Sequence, residues 1–179
     1  MFKLKTFFQF TFSSIIICLI LSCDKTTQTS KNSLQEISFA EFKVNSKDII
    51  QIKYTEFALS NLSEKTSKDW LKFIELQEEI AILKKGDLAF FKDDKIVLKS
   101  FITDLKNEIP EAVNVPSILV RLSVLETAIF KLEGVANLHN VSKDVLLRAI
   151  KDVLVANSNV ILQINKKFEK ESQNIQKPE

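Results

Sequence analysis

The chain has 179 residues, of which 45% are apolar and 27% are charged, and it contains only two glycines and three prolines. This length and apolar fraction suit one folded domain with its own core, and they exclude a disordered chain and a collagen-like repeat. Glycine and proline interrupt most sheet-rich folds, so their scarcity predicts long helices joined by few turns. We therefore expect an all-α protein.

The N-terminal segment has the pattern of an export signal. Lys3 and Lys5 form a short basic start, an apolar stretch follows over residues 7–21, and the small residue Ser22 precedes Cys23. A basic start, an apolar run of about 15 residues and a small residue at the cleavage point are typical of a secretory signal peptide. The run is shorter than the roughly 18–20 residues that a membrane-spanning helix needs.

The end of this segment, Ile20-Leu21-Ser22-Cys23, resembles the lipobox of bacterial lipoproteins. In that family a diacylglyceryl group is attached to the cysteine thiol, the signal is cut before that cysteine, and the new amino group is usually acylated. The resemblance implies that residues 1–22 are removed and that Cys23 is the lipid-attachment site. The alternatives are an uncleaved anchor helix and an ordinary signal peptide with an incidental cysteine.

Cleavage would change both the cysteine count and the charge. Cys18 would leave with the signal, so Cys23 would be the only cysteine, and we expect no disulfide and no cysteine metal site. Loss of Lys3 and Lys5 would leave 23 cationic and 23 acidic side chains. A neutral chain argues against nucleic-acid binding, which needs a clustered cationic face.

The resemblance implies attachment to a membrane of the cell envelope through acyl chains, on the side that faces the periplasm. Two or more acyl chains anchor a protein stably where a single chain is marginal. The residues after Cys23 leave open the choice between inner membrane, outer membrane and cell surface.

The mature chain divides into three parts by composition. Residues 24–36 are polar and predict a flexible tether behind Cys23, with an end-to-end distance of roughly 20 Å. Residues 37–170 carry apolar side chains at helical spacing and predict an antiparallel helical bundle of four or five helices. Residues 171–179 form a polar tail that we expect to fray.

Between residues 46 and 85 the spacing predicts either one long helix or two. Ser46 is the predicted N-cap. The first apolar seam comprises Ile50, Tyr54, Phe57 or Ala58, and Leu62. The polar residues 63–68 either break the helix or continue it. The second seam comprises Trp70, Phe73, Leu76 or Gln77, Ile80 and Leu83, and Gly86 predicts the end of that helix.

Three more helices follow. Asp93 or Asp94 is expected to cap the first, Pro116 to lie in the first turn of the second, and Ser142 to cap the third. The seam of the first comprises Leu98, Ile102, Leu105 and Ile109, with Phe101 beside it. The seam of the second comprises Ile118, Leu122, Leu125, Ile129, Leu132 and Ala136, and that of the third comprises Ile150, Leu154, Asn157, Ile161, Ile164 and Phe168.

The sequence offers few groups for catalysis. The single histidine, His139, is expected to be an ordinary residue of the turn between the last two helices. The pairs Glu78-Glu79 and Asp93-Asp94 are adjacent in sequence, so their side chains point in different directions and form no ready acid–base dyad. Two glycines cannot supply a phosphate-binding loop. We therefore predict a protein without catalytic activity, metal or cofactor.

Two polar residues interrupt apolar faces. Asn157 occupies a seam position, where an amide needs a polar partner and can fix the register of packing. Alternatively, a slight helix rotation buries Ala156 or Val160 and leaves Asn157 at the edge, which is the interpretation we favour. Arg121 is expected to extend its head group to water or to meet a carboxylate of a neighbouring helix.

The last two helices carry more apolar residues than one buried face requires. The fraction is 13 of 23 over residues 116–138 and 14 of 26 over 143–168, whereas a core-facing helix needs about three in seven. The surplus includes Leu119, Val120, Val124, Phe130, Val153, Val155 and Leu162. These residues either make the two helices central, or form an exposed strip for another protein, or line a groove for an apolar ligand. The candidate interaction strip comprises Val120, Val124, Phe130, Val155 and Leu162.

The helical part broadly resembles small helical lipoproteins of uncharacterised function from Gram-negative bacteria, a likeness of architecture that implies no site residues. The leading hypothesis is a membrane-anchored helical interaction module that self-associates or docks another envelope protein. The alternative is a binding protein for a small apolar ligand or lipid, held in a groove between the last two helices.

Overall fold

A computed structural model describes residues 44–173, and within this range every regular element is helical and no strand is present. The helices are α1 (Ser46–Ile50), α2 (Asn61–Ser67), α3 (Leu71–Lys84), α4 (Lys95–Asn107), α5 (Pro116–Ala136) and α6 (Lys143–Ser172), with 3-10 turns at Phe90–Lys92 and Glu111–Val113. The predicted all-α class is confirmed. The predicted signal, Cys23 and the tether over 24–36 lie outside the described residues.

Helices α3 to α6 are the four main helices that the sequence predicts, and successive helices run antiparallel. The indole Nε1 of Trp70 donates a hydrogen bond to the Leu105 carbonyl at 2.9 Å, which places the start of α3 against the end of α4. Helices α5 and α6 make the most extensive contact in the bundle. On their outer side, Lys131 Nζ lies 2.7 Å from Asp152 Oδ2.

The core consists of the predicted seams of these four helices. Every seam residue from Trp70 to Phe168 is buried, except Ala136, which is half-buried. Trp70 and Phe73 stack with ring centroids 4.7 Å apart. Phe91, in the 3-10 turn between α3 and α4, is also fully buried, so that turn closes one end of the core.

The predicted helix from Ser46 to Leu62 is wrong. Helix α1 ends at Ile50, and residues 52–60 have no regular secondary structure. We call residues 52–60 the extended segment, because residues 55, 57, 58 and 60 form hydrogen bonds along the length of α6. The N-cap is Asn45 rather than Ser46, because the Asn45 side chain accepts the Asp48 N–H and the Asp48 carboxylate accepts the Asn45 N–H. Side chains of α6 form hydrogen bonds with the backbone of this segment. The spacing of apolar residues along the sequence does not reveal such long-range contacts.

The stretch between residues 46 and 85 therefore holds three separate helices. Ser60 caps α2 by accepting the Ser63 N–H, and α2 ends at Ser67. A turn over residues 68–70 then separates α2 from α3. This break comes at the C-terminal side of the polar residues 63–68.

Gly86 ends α3 as predicted, with a φ of 94° that L side chains rarely adopt. A Cβ at this position would lie 2.9 Å from the Asn45 Cα. Glycine therefore allows both the left-handed turn and the close approach of the α1 N-terminus. The expected caps of the later helices are also confirmed: Asp94 accepts the Ile96 N–H, and Ser142 accepts the Val145 N–H.

Candidate functional site

The extended segment, residues 52–60, lies along α6 and is fixed there by α6 side chains. Ser158 Oγ accepts a hydrogen bond from the Phe57 N–H at 2.9 Å and donates one to the Thr55 carbonyl at 2.8 Å. Ser158 is 3% exposed, so the hydroxyl is satisfied on both sides by the segment's backbone.

Asn165 repeats this arrangement two helical turns further along α6. Its Oδ1 accepts the Ser60 N–H at 2.9 Å, and its Nδ2 donates to the Ala58 carbonyl at 2.8 Å. Residues seven apart lie on one face of a helix, so Ser158 and Asn165 present a matched pair of contacts to the segment. Four side-chain hydrogen bonds thus replace the ladder that a neighbouring strand would supply.

A cleft of about 420 Å³ lies between the extended segment, α3 and α6. Its apolar wall is formed by Phe57, Leu59, Ile80, Leu154 and Ile161, and its polar lining includes Tyr54, Glu56, Glu64, Gln77, Lys84, Asn157 and Ser158. Seven of the fourteen lining residues are polar or charged, so the cleft combines an apolar wall with groups that can hydrogen-bond to a bound molecule. We therefore take this cleft as the candidate functional site.

Two amide side chains in this cleft pair across α3 and α6. Gln77 Nε2 donates to Asn157 Oδ1 at 3.0 Å, and Asn157 Nδ2 donates to Gln77 Oε1 at 2.9 Å. Asn157 is 5% exposed, whereas Gln77 is half-buried. Each amide keeps a second N–H and a second oxygen lone pair, so the pair can still offer a donor and an acceptor.

The position of Asn157 corrects the interpretation favoured from the sequence. That interpretation leaves Asn157 at the edge while Ala156 or Val160 is buried, but all three side chains are buried. Burial of the amide is possible because Gln77 supplies the polar partner that an amide in an apolar layer requires.

A charged cluster stands at one side of the cleft. The Tyr54 hydroxyl donates to Glu56 Oε2 at 3.1 Å, and Lys84 Nζ contacts the other carboxylate oxygen of Glu56. The hydrogen bond from Lys84, aided by the one from Tyr54, lowers the pKa of Glu56. Burial raises the pKa of Tyr54. Burial is the largest single influence on Lys84 and lowers its pKa, but the hydrogen bonds and charges of Glu56 and Tyr54 together outweigh burial, so the pKa of Lys84 is raised. Lys84 and Glu56 are thus both ionised at neutral pH, and their charges cancel.

The amide pair should respond asymmetrically to substitution. Gln77→Met leaves the buried Asn157 amide without a partner and should lower the free energy of unfolding by about 1–3 kcal/mol. Asn157→Leu should cost less, because the half-buried Gln77 can turn to water in the cleft. The double variant should be more stable than the sum of the two changes predicts. Urea unfolding of the unaltered protein, the two single variants and the double variant measures these free energies. Additive losses in the double variant would contradict the pairing.

The five residues of the predicted interaction strip differ in exposure. Val120 and Val124 are 61% and 49% exposed on α5, one turn apart. Phe130 is half-buried and packs against the core. Val155 and Leu162 are half-buried on α6, two turns apart. The strip remains a prediction, with Val120 and Val124 as its exposed members.

His139 and Arg121, which were also considered from the sequence, lie at the surface, whereas Val153 is buried and Leu119 is half-buried. His139 is exposed in the turn between α5 and α6, as expected, and Arg121 is exposed on α5. Among residues 44–173, no cluster of three His, Cys, Asp or Glu side chains is placed to hold a metal ion. In the same range, no helix combines the length and the apolar character needed to cross a membrane.

Comparison with known proteins identifies no relative: no protein-family model, no curated protein and no solved structure matches this chain.

Proposed function

We propose that this protein is a lipid-anchored helical interaction module of the bacterial cell envelope, without catalytic activity. The lipobox resemblance at Cys23 supports the location. The observation that carries the interaction role is the outer face of α5, where Val120 and Val124 are 61% and 49% exposed.

The surroundings of this valine pair favour a protein partner. Ser123 and Thr127 are exposed beside it, Arg121 is exposed three residues before Val124, and Lys131 lies further along the same face. Exposed aliphatic side chains bordered by polar residues and an arginine fit a protein interface, where arginine is enriched. Either another envelope protein or a second copy of the chain can cover such a face.

Val120→Glu combined with Val124→Glu should abolish this association, because two carboxylates would have to be desolvated at the interface. The measurement is crosslinking in intact cells followed by identification of the neighbours. Both side chains are exposed, so the change in stability should stay within about 0.5 kcal/mol per site. The matched control is Leu71→Glu, at a site 68% exposed on α3. Crosslinks that survive the double substitution, or that Leu71→Glu removes equally, would contradict the proposal.

The cleft supports a second candidate function, the binding of a small apolar ligand. Its position differs from the one expected from the sequence, since it lies between residues 52–60, α3 and α6 rather than between the last two helices. Its volume of about 420 Å³ lies within the range of ordinary ligand pockets.

Native mass spectrometry of the purified protein tests this second function. A carrier should show a noncovalent adduct, and Ala81→Trp, which adds bulk at a residue lining the cleft, should remove it. Ala112→Trp, at an exposed site outside the cleft lining, is the matched control. Adduct-free spectra of the unaltered protein, or an adduct that Ala81→Trp leaves in place, would exclude a ligand in this cleft.

A further inference from the structure

One end of the bundle gathers several helix ends, and we call it the α1 end. It comprises residues 45–51, 85–96 and 137–144. The α1 N-terminus lies against the end of α3, since a Cβ on Gly86 would meet Asn45 backbone atoms. It also lies at the start of α6, because Lys143 Nζ is 2.6 Å from Asp48 Oδ1.

Large aliphatic side chains project into solvent at this end. Ile50, the last residue of α1, is 79% exposed; Ile96, in the first turn of α4, is 76% exposed; and Leu138, in the turn before α6, is 60% exposed. Ile50 and Ile96 are the most exposed large apolar residues among those described. Each lies at a helix end or in a turn, where its side chain can reach beyond the body.

The charges of the α1 end cancel. Its lysines are Lys47, Lys85, Lys92, Lys95 and Lys143, and its aspartates are Asp48, Asp87, Asp93, Asp94 and Asp144. A surface with this balance has no general attraction for anionic partners or anionic lipids. Association of this end must therefore depend on the aliphatic side chains.

The described chain also begins at this end. Val44 is 3% exposed, and Asn45 caps α1. Twenty residues separate Cys23 from Val44 in the sequence. In sequence, the α1 end is therefore the first part of the described body after Cys23.

We propose that the α1 end rests on the surface of the bilayer, with Ile50, Ile96 and Leu138 inserted between the lipid headgroups. This inference depends on the proposed lipid anchor at Cys23. The anchor keeps the body at a high local concentration of lipid, so weak apolar contacts suffice to orient it. Because the end is neutral, docking requires no anionic lipid. The opposite end, which includes the start of α5, then faces away from the membrane.

The test uses the mature, lipidated protein in phosphatidylcholine vesicles, with a fluorescent thiol-reactive probe attached at Ile96→Cys or at Leu138→Cys. The matched control is Val120→Cys, an aliphatic site of similar exposure near the start of α5. Phosphatidylcholine brominated near the start of its acyl chains quenches probes that lie at the boundary between the headgroups and the acyl chains. Circular dichroism checks that each labelled variant keeps its helices.

The number of labels per chain separates failure of the anchor from failure of the docking. Acylated Cys23 leaves one free thiol per variant, whereas a second label would disprove the anchor itself. With the anchor intact, quenching should be several-fold stronger at positions 96 and 138 than at position 120, and it should be insensitive to salt. Equal quenching at all three positions, or stronger quenching at position 120, would overturn the proposal. The proposal would also be overturned if, without vesicles, the emission of the probe at position 96 shifted to the blue as the protein concentration rose. That shift would indicate that a protein covers this end instead.

Discussion

Trp70→Ala is expected to lower the free energy of unfolding by about 3–5 kcal/mol, the usual cost of removing a large aromatic side chain from a core. Trp70 is fully buried, and its ring stacks on Phe73. Its Nε1–H also satisfies the Leu105 carbonyl, one of the last four of α4, which have no partner within the helix. A whole domain is commonly stable by only 5–15 kcal/mol, so the loss should be visible as reduced expression.

Two control variants separate the contributions of Trp70. Trp70→Phe keeps most of the aromatic packing but leaves the Leu105 carbonyl unpaired, so it should cost less than the alanine variant. Leu71→Ala changes the neighbouring side chain, which is 68% exposed, and should alter stability by at most about 0.5 kcal/mol. Chemical denaturation measures the free energy of unfolding of Trp70→Ala, Trp70→Phe and Leu71→Ala. A Trp70→Ala protein as stable as Leu71→Ala would mean that the start of α3 does not pack as described.

Cys23→Ser is expected to move the protein from the membrane fraction to the soluble fraction, because serine has no thiol to accept a diacylglyceryl group. Each buried methylene of an acyl chain contributes about 0.8 kcal/mol to membrane binding, so losing the chains removes the anchor. Cys18→Ser is the matched control, since Cys18 lies inside the apolar run and should leave with the signal. Fractionation of cells followed by immunoblotting measures the distribution. Retention of the Cys23→Ser protein in membranes, or release of the Cys18→Ser protein, would contradict the lipobox interpretation.

The sequence predicts the four main helices well because each buries one continuous apolar face. In α5, the residues from Ile118 to Leu132 recur every three or four positions and all are buried. Pro116 and Gly86 mark helix boundaries for reasons that are local to the backbone, so they too can be located without a structure.

The segment after α1 could not be predicted in this way. Ile50, Tyr54 and Leu62 have helical spacing, yet residues 52–60 are not helical, and four of their backbone groups bind Ser158 and Asn165. Those contacts join residues about 100 positions apart, and no local pattern reports them. The run from Ile52 to Phe57 does carry β-branched and aromatic side chains, a signal of extended structure that the helical spacing obscures.

The candidate site was visible in the sequence only through Asn157, as an amide in an apolar seam. Gln77 occupies an alternative position in the α3 seam, but nothing in the sequence links the two residues. The cleft itself depends on where the extended segment crosses α3 and α6, which is a property of the assembled fold.

The mass of the N-terminal peptide from the natural protein tests the central claim most directly. Digestion of membrane-derived protein followed by mass spectrometry should yield a peptide that begins at Cys23 and is heavier than its sequence by a diacylglyceryl group, with or without a further acyl chain. A Cys23 peptide with a free thiol, or a peptide that still contains residues 1–22, would contradict the lipid anchor and the membrane-facing orientation that rests on it.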